Sequence, residues 1–265
     1  GLATTATRFD ALAAALGAAA DTGDLTEIKK IIGGHPGLVA GELTSPVGLK
    51  RIAVFPVDSF GAQMAPFYTV LGLWIGALLL SVLIRVDVER NAVPFSKPLT
   101  LTEEYVGRYG IVGLLAFLQS SLLYVGLIGF VGVTPADPFL HILAGWVMSL
   151  VFSMITYTLV VSFGEAGKAL GVVLLVFQIS AGGGAYPLAV LPQWFQNLSP
   201  FLPVTHATSA VRSAIGGVYQ GDYWISIGQL LLFILPVLLP GLVLRRPLVG
   251  FNKDLAGALE GTKLM

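Results

Sequence analysis

The chain has 265 residues, 55% hydrophobic and only 11% charged, with a mean hydropathy of +0.83. Soluble domains carry about 25% charged residues, so much of this surface must face lipid rather than water. A formal net charge of zero argues against a nucleic-acid binder built on a basic stripe. The lack of cysteine excludes disulfide scaffolds, thiolate metal sites and cysteine nucleophiles.

In chain order, residues 1–32 are Ala-rich with scattered charges, among them Arg8, Asp10, Glu27, Lys29 and Lys30. Phe9, Leu12 and Leu16 recur at helical spacing, so the segment reads as a helix too charged to span a membrane. The run Gly33, Gly34, His35, Pro36, Gly37 ends it, and residues 43–58 look extended. A first span is expected over 64–84, uncharged and about the 20 residues that cross a bilayer core. Arg85 closes it. A charged stretch to Arg108 follows, then spans over 111–133 and 140–163. A further, short span is expected from 169 and extends into Gly182, Gly183 and Gly184. Residues 185–224 differ in kind, being broken by Pro187, Pro192, Pro200 and Pro203 and rich in aromatics suited to a membrane interface. Within them, 204–216 reads as a short helix. The segment either lies on the outer surface or dips into the membrane and returns, since irregular backbone at membrane depth survives only inside protein or against water. The last span is expected over 225–244, closed by Arg245 and Arg246.

Lys and Arg set the orientation. One side holds Arg85, Arg90, Lys97, Arg108, Lys168, Arg245, Arg246, Lys253 and Lys263; the other holds Arg212 and the N-terminal segment. The first side is therefore expected to be cytoplasmic and the N-terminal segment external, with the C-terminus inside. An odd number of spans with an external start calls for a helix upstream of Gly1.

Motifs for catalysis are missing. His35, His141 and His206 lie in no metal-ligand spacing and read as structural or interfacial. Gly167 and Lys168 fail the phosphate-loop pattern, because Ser162 and Ala169 stand where it needs Gly and Ser or Thr. No enzyme activity, cofactor or metal is expected. Gly72 and Gly76, and Gly167 and Gly171, stand four apart and read as helix-packing positions, within one chain in preference to a dimer seam. Polar side chains inside the spans, Gln119, Ser120, Gln178 and Gln229 among them, read as interhelical or path-lining groups. In the 85–108 loop, Asp87, Glu89, Arg90, Lys97, Glu103 and Glu104 form either a solvated connector or a docking surface for a cytoplasmic partner. Thr102, Glu103 and Glu104 could begin a helix along the cytoplasmic face.

Phe55, Pro56, Val57, Asp58, Ser59, Phe60 and Gly61, followed by Met64, Ala65, Pro66, Phe67 and Tyr68 at the opening of a glycine-containing span, form a pattern that resembles the membrane region of the YhgE/Pip (phage infection protein) family. Thr44, Ser45, Pro46 and Val47 are similar too. The later series Gly182, Gly183, Gly184, Pro187, Pro192, Pro203 and Arg212 resembles the wider ABC-2 type permeases, where a proline-broken external segment precedes the last span. The resemblance covers about residues 43–250.

The resemblance implies an all-α membrane protein with about five transmembrane helices and a proline-broken external or re-entrant segment before the last. Residues 1–42 would end an external helical region, 43–63 form an external connector, 64–250 the transmembrane domain and 251–265 a cytoplasmic tail. It further implies a multi-pass protein of the bacterial plasma membrane. The expected function is a permease-like subunit exporting a lipid, glycan or peptide, energised by a separate cytoplasmic ATPase coupled through the 85–108 loop. Expected partners are membrane lipids, the upstream part of the same protein, and a second subunit in a homodimer or hetero-oligomer; nucleic acid is not among them. The competing expectation is a surface scaffold or receptor anchored by its spans, used by phage or associated with type VII secretion.

Overall fold

The computed structural model describes residues 59–84, 100–184 and 186–243, besides isolated positions near the N-terminus. The chain divides into Gly1–Val54 and Phe55–Met265, and the architecture below is that of the second unit. Its described elements are all helical. They are α1 (Phe60–Leu83), α2 (Leu101–Gly126, prolonged by a π-helical turn at Leu127–Val131), α3 (Pro138–Phe163), α4 (Glu165–Ala181), α5 (Gln193–Leu198), α6 (Pro203–Gly216), α7 (Asp222–Leu232) and α8 (Ile234–Leu238), which runs on into Leu239–Val243.

The starts of the long helices are written locally. The Ser59 hydroxyl accepts from the Ala62 N–H at 3.1 Å, and the Asp137 carboxylate accepts from the Leu140 N–H at 3.0 Å, with Pro138 in the first turn. Both satisfy donors that a helix N-terminus leaves free. At α2 the cap is Thr100, whose hydroxyl accepts from the Glu103 N–H while the Glu103 carboxylate receives the Thr100 N–H at 2.7 Å. This reciprocal capping box moves the start of the helix to Leu101, not 111, and makes Glu103 and Glu104 part of the spanning helix itself. No separate surface helix begins at Thr102. Thr100→Ala is expected to destabilise this end by about 1 kcal/mol, read as faster amide exchange confined to the first turn of α2.

Four described helical stretches are long and apolar enough to cross a membrane: Phe60–Leu83, Leu101–Val131, Pro138–Phe163 and Asp222–Leu242. The fifth expected span is α4, which begins at Glu165 and stops at Ala181, so it does not enter the triple glycine. Its 17 residues reach only about 25 Å at 1.5 Å per residue, short of a roughly 30 Å hydrocarbon core. The surface is inverted relative to a soluble protein. Leu114, Leu118, Leu122 and Val125 on α2, and Val172, Val173 and Val176 on α4, are exposed, as helices facing lipid require.

Helix α3 is the centre, with 56% of its apolar window buried against 22–39% for the other spans. Its Met148, Val151, Phe152 and Ile155 share one core with Leu73, Trp74 and Ala77 of α1 and Val211 and Ala214 of α6. Trp74 and Phe152 meet edge to face at 5.1 Å. Lipid is as apolar as leucine, so packing and interhelical hydrogen bonds must hold such a bundle. Ser81 and Thr156 pair at 2.9 Å between α1 and α3, the Ser149 hydroxyl donates to the Ala116 carbonyl at 2.7 Å, and Tyr105 and Thr158 pair at 2.6 Å. Each contributes on the order of 0.6 kcal/mol, and together they set the rotation of α3 against its neighbours.

Candidate functional site

The proline-broken segment folds around α6, a half-helix inside the bundle. Pro203 opens it, where a missing N–H costs nothing. Ala207, Ala210, Val211 and Ala214 are buried, small enough to let α6 lie close to α1 and α3. Helix α6 runs antiparallel to α7. Near its end the Ser213 hydroxyl donates to the Asp222 carboxylate at 2.8 Å, and near its start the His206 ring meets Phe233 at 5.8 Å. Phe233 caps α7 eleven residues after Asp222, about 16 Å along the helix axis. The start of α6 therefore lies that far below the α6–α7 turn. Residues 183–202 are an excursion whose two ends meet, since a Cβ on Gly182 would stand 2.7 Å from Val204.

The α6–α7 turn belongs to one end of the bundle, or pole. The Ala136 and Asp137 N–H groups donate to the Ile215 and Ala214 carbonyls at 3.1 and 3.2 Å, satisfying the last carbonyls of α6. The α2–α3 connection and the N-terminus of α1 are thus at the same pole. The opposite pole carries the C-terminus of α1, the N-terminus of α2 and the α3–α4 turn, where Lys168 and Glu165 pair at 2.5 Å.

Arg212 ties the excursion to α6. Its Nη2 donates to the Gly183 and Gly184 carbonyls, each at 2.9 Å. Glycine is required in that turn: Gly183 sits at φ +66°, and a Cβ on Gly184 would stand 2.2 Å from the Phe67 ring. Beside Arg212 a cavity of about 280 Å³ opens, walled by Ala62, Gln63 and Pro66 of α1 and by Ser213, Ile215 and Asp222 of the pole. Pro187 and Pro192 act further out, each preceding a short helical turn.

The polar positions inside the spans separate. Gln119 is half-buried and fills the space a Cβ at Gly76 would need, its Nε2 only 1.7 Å from that point. Ser120 is fully buried with no hydrogen-bond partner among the described residues, and Gln178 is buried with neither amide atom paired to any of them. Gln229 is exposed on α7. Among the packing glycines, Gly167 faces the Leu159 carbonyl and Gly171 faces Leu78, while Gly72 meets no heavy atom within 4 Å. The Gly171 carbonyl also accepts the Trp74 Nε1–H at 3.3 Å. Asp87, Glu89, Arg90 and Lys97 lie outside the described residues; Glu103 is exposed in its capping box and Glu104 is buried.

Three polar groups were not distinguished by pattern. Tyr124 and His141 are wholly buried and meet edge to face at 4.6 Å, yet the Tyr124 hydroxyl and both His141 ring nitrogens lack hydrogen-bond partners among the described residues. Gly145 makes room for them, because a Cβ there would stand 2.3 Å from the Tyr124 ring. Ser120 is four residues before Tyr124, on the same face of α2. Thr208 on α6 likewise has a buried hydroxyl unpaired among the described residues. Unpaired polar atoms in an interior cost about 1–3 kcal/mol each, so their accumulation between α2 and α3 marks a polar seam. The available signal was Ser120 and Tyr124 at helical spacing, but their neighbour His141 comes from another span.

A family model described as "ABC-2 family transporter protein" matches residues 14–242, the whole described bundle included. The chain belongs to the ABC-2 transporter family. Among curated proteins it is similar to the "Uncharacterized protein YhgE" of Bacillus subtilis (strain 168), 25% identical over 191 residues. That alignment covers 72% of this chain and 24% of the relative, so the chain spans about a quarter of its relative's length. No solved structure matches. The YhgE/Pip and ABC-2 resemblance is thereby borne out, as is the all-α, permease-like fold. This ABC-2 chain is a membrane protein.

Proposed function

We propose that the bundle is the membrane part of an exporter of the cell envelope, moving a lipid, glycan or peptide with energy from a separate cytoplasmic ATPase. The observation that carries this reading is α6, a half-helix held within the family-matched bundle by a proline-broken excursion. A bundle that only anchored an external domain would need no such interruption. The unpaired polar atoms of Ser120, Tyr124, His141, Gln178 and Thr208 support it further, since groups of this kind are where water or a moving polar solute can bind. The Lys and Arg distribution supports an orientation with the Arg212 pole outside and the 85–108 loop and C-terminus in the cytoplasm. Asp87, Glu89, Arg90, Lys97 and the exposed Glu103 then form the coupling surface, with Glu104 buried behind them, Gln119 and Gln178 contribute to the path or to helix contacts, and two copies or a related subunit enclose the path.

The test replaces residues 86–99 of the full-length protein with a Gly/Ser linker of equal length. Crosslinked purification from intact membranes is expected to recover an ATP-hydrolysing subunit with the unaltered protein and to lose it with the linker variant. Undiminished recovery from the linker variant would reject coupling through this loop. Retention of the cellular phenotype after exchanging the whole bundle for an unrelated anchor would favour the scaffold reading.

A further inference from the structure

The cavity at the α6–α7 pole is lined by one charge of each sign, and neither neutralises the other. Arg212 uses Nη2 on the Gly183 and Gly184 carbonyls. Its Nε–H and Nη1–H donors have no partner among the described residues. Asp222 receives the Tyr219 and Tyr223 N–H groups on Oδ1, at 3.0 and 2.8 Å, and the Ser213 hydroxyl on Oδ2 at 2.8 Å. No ion pair joins Arg212 or Asp222 to another described residue, and the Lys168–Glu165 pair lies at the other pole. Both charged side chains are therefore held by neutral groups, and they border one space without closing on each other.

That arrangement selects a ligand. The free edge of a guanidinium is a planar fork matched to phosphate oxygens. A simple anion would gain Arg212 but be repelled by Asp222, and a simple cation would meet the reverse. A group carrying both signs satisfies both. The cavity, about 280 Å³, is several times the room of one water. Ala62, Pro66 and Ile215 give it apolar walls, and Gln63 adds an exposed amide with no hydrogen bond to another described residue. We propose that this cavity binds a phosphate–ammonium zwitterion, the headgroup chemistry of an aminophospholipid, with the phosphate on Arg212 and the ammonium towards Asp222. The site stands on the geometry of this pole and does not depend on ATPase coupling, so its failure would leave the export reading untouched.

The experiment titrates the full chain, purified in an uncharged maltoside detergent, with short-chain phosphatidylethanolamine by calorimetry. Phosphatidylglycerol of the same chain length and free phosphoethanolamine are the comparison probes. Saturable binding of phosphatidylethanolamine is expected, at least about tenfold tighter than phosphatidylglycerol. Asp222→Asn should abolish that preference. Arg212→Lys and Gln63→Trp should each weaken binding about tenfold, the first by removing the fork and the second by filling the cavity. Gln63→Trp breaks no described side-chain hydrogen bond, so it keeps the test decisive if the Arg212 variant misfolds. Equal binding of both lipids, or unchanged affinity in Gln63→Trp, would overturn the proposal. Phosphoethanolamine binding as tightly as the lipid would assign the site to the soluble headgroup; much weaker binding would assign it to the lipid.

Discussion

Trp74→Ala should lower the stability of the folded bundle by about 3 kcal/mol, the lower end of what removing a large buried aromatic costs. Trp74 is fully buried where α1, α3 and α4 meet. It packs edge to face on Phe152 at 5.1 Å and donates Nε1–H to the Gly171 carbonyl at 3.3 Å. In lipid the transfer of the side chain out of water contributes little to helix association, which removes part of the loss seen in soluble cores. The cavity and the lost dispersion contacts remain. So does the orphaned carbonyl of Gly171. Thermal melting of the detergent-solubilised protein, followed by size-exclusion chromatography with fluorescence detection, measures the effect. Trp194, which is 54% exposed, provides the comparison. If Trp74→Ala melted no earlier than Trp194→Ala, the placement of α4 against α1 would be wrong.

Gly167→Ala is the second large effect, and it arises from a single methyl group. A Cβ at Gly167 would lie 1.9 Å from the Leu159 carbonyl oxygen and 2.4 Å from its carbon. The obstacle is the backbone of α3, which cannot rotate aside as a side chain can. Helix α4 would have to move away from α3 and give up the contacts of Gly171 with Leu78 and Trp74. Overpacking of this kind costs about 1–3 kcal/mol or more. The expected result is a marked fall in monodisperse protein recovered from membranes. Gly72→Ala is the control: no described residue lies within 4 Å of its Cβ position, and alanine is the better helix former by about 1 kcal/mol. Equal recovery of the two variants would contradict the α3–α4 packing.

These two glycines show how far pattern reading reaches. Spacing of four placed both pairs on helix faces, because one face repeats at that interval. It could not tell an open glycine from one pressed on a backbone, since that depends on where the neighbouring helix runs. Gly76 makes the same point: its lack of a side chain accommodates Gln119 of α2. Helix starts needed more local detail than hydropathy supplies. Span two begins at Leu101 because Thr100 and Glu103 cap each other, and charge alone had placed those residues outside the membrane helix.

Composition and hydropathy by themselves determined that this is a membrane bundle, where its apolar helices run, and that residues 185–224 interrupt it. They could do so because lipid allows spanning backbone only as long apolar helices or closed barrels, a constraint legible in any window of sequence. Tertiary structure decided the rest. It stood α6 antiparallel to α7, gathered Ser120, Tyr124 and His141 into one unpaired seam, and joined Arg212 to carbonyls 28 and 29 residues away. Polar contacts between helices depend on the rotation and depth of each helix against the next, and those are set by packing that no single segment contains.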